Sequence, residues 1–210
     1  MNKTTLLPRE KIRGDLHLIA AMIESGARVL DVGAGDGSLL GYLVNHRNVD
    51  GRGIEIDRER VTNCVQKGLS VIQGDAEVDL VNYPSGSFDY VVLSQTVQAL
   101  RDVPGILEQM LRIGRYAAVS FPNFGHWRVR LSLVARGRMP VTPNLPHDWY
   151  NTPNIHLCTV VDFLNLCQSR GIVVDKAMAV NESGGTYRFR HFGWATNWLA
   201  EKAVVLLSRG

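Results

Sequence analysis

Val29-Leu30-Asp31-Val32-Gly33-Ala34-Gly35-Asp36-Gly37 reads as a buried strand that breaks into a glycine-rich turn and opens a helix. Three glycines at spacing two let the backbone bend sharply, approach a ligand with no Cβ in the way, and leave N–H groups free at a helix N-terminus. Without a geometric need, each would weaken an ordinary connection by roughly 0.5–1 kcal/mol relative to alanine. The stretch therefore predicts a nucleotide-like ligand cradled by Gly33, Ala34, Gly35 and Gly37. A dinucleotide fingerprint G-x-G-x-x-G would place its third glycine at position 38, where Ser38 stands. Asp31, two residues before the first glycine, suits an ammonium group and would repel a pyrophosphate, so a nicotinamide dinucleotide is disfavoured.

The spacing of the next acids narrows the ligand. Gly53-Ile54-Glu55-Ile56-Asp57 reads as a second strand ending in a carboxylate suited to two ribose hydroxyls. Val71-Ile72-Gln73-Gly74-Asp75 is a third strand ending in glycine and acid, and Phe88-Asp89-Tyr90-Val91-Val92-Leu93-Ser94 is a fourth. Asp57 is expected to cap the helix from Arg58 to Lys67, and Asp89 to order the start of its strand. Loop, acid, Gly-Asp and Phe-Asp at these intervals resemble the motif series of class I S-adenosylmethionine (SAM) dependent methyltransferases. That likeness implies backbone amides of Gly33, Ala34, Gly35 and Gly37 on the carboxylate of SAM or S-adenosylhomocysteine, and Asp31 on its ammonium. It further implies Glu55 on the ribose, Ile56 against one adenine face, Asp75 and Ala76 at the adenine edge, and Ser94 and Gln95 near the methyl group. A Gly35→Val change is then the matching control, expected to abolish SAM binding while leaving the fold intact.

The chain has 210 residues, 45% of them hydrophobic and 20% charged, with a net charge of +3, which suits one compact domain over 1–210 and does not call for nucleic acid. Cys64, Cys158 and Cys167 make no C-x-x-C pair and are odd in number, so neither a metal site nor a disulfide framework is expected. With no apolar run of 18 residues, no membrane span is expected, and a cytoplasmic setting fits the cysteine usage.

Helices and strands alternate along the chain. Leu16, Ile19, Ala20 and Ile23 recur at helical spacing before Ser25-Gly26, and further helices are expected around Pro104 to Ile113 and over Val160 to Ser169. Strands are expected at 52–56, 70–73, 89–94, 116–121, 172–180 and 203–208. The pattern predicts an α/β fold: a doubly wound, mostly parallel, seven-stranded Rossmann-like sheet whose last strand is antiparallel, with ligands at the strands' carboxyl ends. Two segments interrupt the alternation, an insertion at about 122–156 holding five of the eight prolines, and an aromatic and basic stretch at 182–202.

Within the insertion, Pro122-Asn123-Phe124-Gly125-His126-Trp127-Arg128, Gly137-Arg138-Met139-Pro140-Val141 and Trp149-Tyr150-Asn151-Thr152-Pro153-Asn154-Ile155-His156-Leu157-Cys158-Thr159 are far more specific than the glycine turn. Through these motifs the chain resembles the MetW family of methionine biosynthesis from about Asp15 to at least Arg170. The resemblance implies a methyltransferase fold that associates with homoserine O-acyltransferase, an acetyl- or succinyltransferase, and supports its activity. Active methyl transfer to a small molecule is the alternative, with His126, Tyr150 and His156 as candidate bases. Each can equally order a proline-rich loop, and His156 could cap the helix after Leu157. Ser94-Gln95-Thr96-Val97 lacks the Asn/Asp-Pro-Pro-Tyr/Phe element of enzymes that methylate exocyclic nitrogens. Arg128 and Arg136 share a helix face, with Trp127, Leu131 and Val134 forming a second stripe expected to pack on the domain. An acidic protein patch is a second reading of those arginines.

Overall fold

The computed structural model describes residues 12–142, 145–181, 186–188 and 194–210. Alternation is realised as α1 (Gly14–Met22), β1 (Arg28–Val32), α2 (Ser38–Arg47), β2 (Asp50–Glu55), α3 (Arg58–Gln66), β3 (Ser70–Gln73), α4 (Ala76–Asp79), β4 (Phe88–Ser94), α5 (Val103–Ile113), β5 (Gly114–Pro122), α6 (Trp127–Arg136), α7 (Val160–Ser169), β6 (Ile172–Val180), β7 (Thr186–Arg188), α8 (Trp194–Leu199) and β8 (Lys202–Arg209). The strands form one sheet in the order β3-β2-β1-β4-β5-β8-β6-β7. Strands β1 to β5 run parallel, and β8 lies antiparallel between β5 and β6. The expected seven strands with a reversed last one are thus present, and a three-residue β7 adds an eighth at the edge beside β6.

Local chemistry explains where the helices start. Asp57 accepts from the amides of Glu59 and Arg60, as expected of a cap. Thr159 and Asp162 form a reciprocal capping box that opens α7, so Thr159 holds the capping role considered for His156. Asp89 receives the backbone N–H and guanidinium of Arg28, tying the start of β4 to that of β1. Gly137 ends α6 in the left-handed conformation, its N–H donating to Leu133 O.

Strand alternation divides the interior into two layers, one on each face of the sheet. Leu30, Val32, Val91, Leu93, Val119 and Phe121 pack on one face with Met110 of α5 and Phe163 of α7. Val29, Tyr90, Val92 and Ala118 pack on the other with Ile19 of α1 and Leu43 of α2. The period of two carries Asp31, Ser94 and Ser120 onto this second face, at the carboxyl ends of β1, β4 and β5. These three polar side chains therefore emerge together beneath the N-terminus of α1.

Candidate functional site

At that end of the sheet a cavity of about 730 Å³ is lined by Asp31, Gly33, Ala34, Gly35, Ser94 and Gln95 among the expected residues. The glycine turn forms as the spacing requires: Gly33, Gly35 and Gly37 all take positive φ, between +58° and +76°. A Cβ on Gly33 would meet Thr96 Oγ1 at 2.9 Å, and one on Gly37 would meet Leu69 Cδ1 at 2.6 Å, so packing demands glycine at both. Gly35 differs. A Cβ there would meet nothing within 4 Å, and the residue lines the cavity. Because φ is +58°, a Gly35→Val change would strain the turn as well as block the cavity, and it makes a poor binding control.

Asp31 is the most informative side chain of the site. It is only 2% exposed, and its Oδ1 has no hydrogen-bond partner among the described residues. Burial, reinforced by the neighbouring charge of Glu55, raises its pKa to about 7, despite the opposing influence of Arg13. A buried carboxylate without a partner is costly, and a ligand ammonium would relieve that cost.

Glu55 is also buried, but it is engaged. Its Oε2 accepts from Gly35 N at 2.7 Å and its Oε1 from Asp57 N at 3.0 Å, so the carboxylate locks the glycine turn onto the end of β2. Each oxygen has then used one of its two acceptor positions, leaving one apiece for a vicinal diol. Ile56, 65% exposed, presents a bare apolar face just beyond. Asp75 caps α4 by accepting from Glu77 N, with Ala76 half-buried beside it. Gly74 is needed for packing, since its Cβ would meet Ile54 Cδ1 at 2.8 Å. Glu55, Ile56, Asp75 and Ala76 lie at the ends of β2 and β3, outside the cavity wall formed by the residues of β1 and β4.

The candidate bases are not brought to the cavity. His126 is buried at the start of α6, its ring tilted against Trp127, Tyr150 is exposed with its hydroxyl 3.4 Å from Asp148, and His156 faces a separate groove beside Pro104 and Phe163. His147 of the insertion lines the cavity instead. Cys158 and Cys167 are held as thiols, burial pushing them up to about 11 and about 12. Among the described residues no three His, Cys, Asp or Glu side chains are grouped to hold a metal ion.

A second polar cluster was not anticipated. Asp15, 1% exposed, accepts at Oδ2 from Gln95 Nε2 at 3.0 Å, Ser120 Oγ at 3.3 Å and Arg13 Nη2 at 3.4 Å, while Arg13 also reaches Ser94 Oγ at 3.2 Å. Gln95, a non-glycine residue at φ +52°, is held in this strained conformation by that bond and by its amide on Ser120 O. The signal for Asp15 was present in sequence: it stands on the buried stripe of α1 with Ile19, Met22 and Ile23 at i+4, i+7 and i+8.

The insertion motifs prove to be fastenings. Asn123, buried, donates to Asn197 O and Ala200 O at 2.8 and 2.7 Å and accepts from Gly125 N and Val160 N at 3.0 and 3.2 Å, using all four of its hydrogen-bond positions. Gly125 is required because its Cβ would meet Asn197 Oδ1 at 2.7 Å. At the far end, Gln98 O accepts from the amides of Ile155 and His156. The stripe expected to pack on the domain does not: Leu131 and Val134 are exposed, and α6 is seated by Val129 and by Arg130, which donates to Gly125 O and stacks over Trp198.

Residues 13–207 match the family described as methionine biosynthesis protein MetW. The chain belongs to the MetW family. A bifunctional methionine biosynthesis protein MetXA/MetW of Rhodopirellula baltica is 34% identical over 171 residues, covering 77% of this chain. The chain spans only 27% of that relative's length. Among solved structures, SAM-dependent methyltransferases of Thermotoga maritima and Mesorhizobium loti each align with a TM-score of 0.68 at 15% identity. Both alignments cover 94% of this chain, with 88% and 98% of the respective structures. The MetW fold is therefore that of the class I methyltransferases.

Proposed function

We propose that this MetW-family chain binds SAM, or S-adenosylhomocysteine, at the carboxyl ends of β1, β2 and β4, and acts as partner and activator of a homoserine O-acyltransferase. The observation that carries ligand binding is the buried Asp31 carboxylate, its Oδ1 without a partner among the described residues, in a cavity walled by the glycine turn. Asp31 would take the ammonium, the turn amides the carboxylate, Glu55 the ribose hydroxyls and Ile56 an adenine face, with Asp75 and Ala76 at the adenine edge. Charge-assisted hydrogen bonds of this kind contribute on the order of 1.5–3 kcal/mol each. The partner role is supported by the relative whose name joins MetXA and MetW in one chain. A cytoplasmic setting goes with biosynthetic work, and no helix among the described residues is long and apolar enough to cross a membrane.

Active methyl transfer to a small molecule is the second reading, favoured by the cavity space beside Ser94, Gln95 and His147. SAM would supply an activated methyl group, and these residues would orient an acceptor or hold its proton. Calorimetric titration of SAM, with acyltransferase turnover measured with and without the chain, tests the first reading. SAM binding together with a rise in turnover is expected. No heat of binding and unchanged turnover at micromolar concentrations would refute it. S-adenosylhomocysteine formed from SAM only when a metabolite is added would establish the second.

A further inference from the structure

Eight of the seventeen exposed large hydrophobic side chains among the described residues fall between Leu131 and Leu157. Val134 is 87% exposed and Trp149 74%. Phe124, Met139, Leu145, Trp149 and Ile155 line a shallow hollow of about 140 Å³. The rings of Trp149 and Tyr150 stand edge to face at 5.8 Å, the kind of aromatic pair that anchors protein interfaces. Charge is one-sided here. From Gln109 to His147 the sequence contains no Asp or Glu. Arg136 and Arg138 are exposed at the end of α6 with no ion pair to any described residue.

The insertion also has an inner side. His147 and Asn154 line both this hollow and the large cavity, and Pro146 and Pro153 line the cavity alone. The backbone of Gln98, which lines the cavity too, receives the amides of Ile155 and His156 and so fixes one end of the shared wall.

We infer that the outer face of the insertion, centred on the Trp149 hollow and the Leu131–Val134 stripe, docks an apolar, acid-rimmed surface of the acyltransferase, and that the wall shared with the cavity couples docking to SAM. The inference rests on the proposed acyltransferase partnership. A protein occupant is favoured over an anionic membrane surface because the hollow is a recess lined by Phe124 and Trp149, a shape that takes a projecting side chain. Apolar burial at the hollow supplies affinity, and the exposed Arg136 and Arg138 select an acidic rim. Any coupling is reciprocal: SAM changes acyltransferase affinity by the factor by which the acyltransferase changes SAM affinity.

The test measures acyltransferase affinity by calorimetry, and self-association by sedimentation, for the full chain and for Trp149→Ala, Val134→Glu and the pair Arg136→Glu with Arg138→Glu. All four residues are exposed and lie outside the cavity wall, so SAM affinity within twofold of the unaltered chain certifies the fold. Each variant is expected to weaken the acyltransferase complex at least tenfold, and saturating SAM to shift the affinity of the unaltered chain at least fivefold. Variants that bind the acyltransferase like the unaltered chain would overturn the surface while leaving the partnership intact. An unaltered chain that binds no acyltransferase would overturn both. Loss of self-association alone, or of binding to vesicles containing phosphatidylglycerol alone, would assign the face to a second copy or to a membrane and overturn the inference. Equal affinity with and without SAM would overturn the coupling.

Discussion

The ends of β1 and β2 and the insertion after β5 both carry dense runs of glycine, proline and polar residues, yet they use them in opposite ways. At the glycine turn, side chains are left wanting: Asp31 is buried with an oxygen unpartnered, and a Cβ on Gly35 would point into open space. In the insertion Asn123 is fully bonded internally and Gly125 is packed against Asn197, while Leu131, Val134 and Trp149 face outward. On the function proposed here, the unsatisfied polarity inside takes a small ligand and the unsatisfied apolarity outside takes a large one.

The sharpest way to break this contrast is at Asn123. Asn123→Ala would strand two carbonyls and two amides in the interior, and a loss on the order of 3 kcal/mol is expected from the cost of unpaired buried groups. Denaturant unfolding reads it directly. A loss below about 1 kcal/mol would mean that the motif is not a structural fastening.

At the other region the largest effect is on binding. Asp31→Asn keeps the shape and removes the charge, so SAM affinity should fall about 10- to 100-fold at pH 8, with little loss of stability in the empty protein. Unchanged affinity in calorimetry would exclude Asp31 from ligand recognition.

The same carboxylate makes a pH prediction. Burial raises Asp31 to about 7, so between about pH 4 and pH 7 the unfolded chain releases a proton that the folded chain keeps. The empty protein therefore loses stability as pH rises through that window. A ligand ammonium favours the ionised form, so SAM affinity should rise about tenfold from pH 6 to pH 8, and Asp31→Asn should flatten the profile.

The smallest effect concerns Asp89. Its pKa is lowered by the Arg28 hydrogen bonds, so the pair stabilises the fold above the ordinary carboxylate range and the contribution disappears as pH falls through the lowered value. Both side chains are well exposed, so Asp89→Asn should cost no more than about 1 kcal/mol and leave SAM affinity unchanged. A drop in SAM affinity would move Asp89 from framework to ligand site.

Periodicity and caps made most of the fold legible. Strand β6 and helix α7 fall at the residues that spacing and flanking chemistry indicate, and Asp57 and Asp89 take the local roles expected of them. The glycine turn was legible for the same reason, because positive φ leaves a mark on residue type. What could not be read was long-range. Asp15 meets Ser120 across 105 residues, and only the sheet order brings α1 over the ends of β4 and β5. The outward turn of Leu131 and Val134 was missed because helical periodicity defines a stripe without saying which stripe is buried, and Val129 on another face won. His147 escaped because irregular loops carry no period, so distance to a cavity cannot be counted along the chain.

The position of β8 has a consequence for biosynthesis. Its eight residues, 202–209, supply the bonds that join β5 to β6, so until they emerge the apolar edge Ala117–Phe121 stands without a neighbour. A chain made from the N-terminus forward carries that open edge from the completion of β5 until β8 emerges about 80 residues later, an interval in which nascent strands aggregate or wait on chaperones. Closure of the sheet is thus a late event, and shortening this strand would be felt in yield from the cell before it was felt at the ligand site.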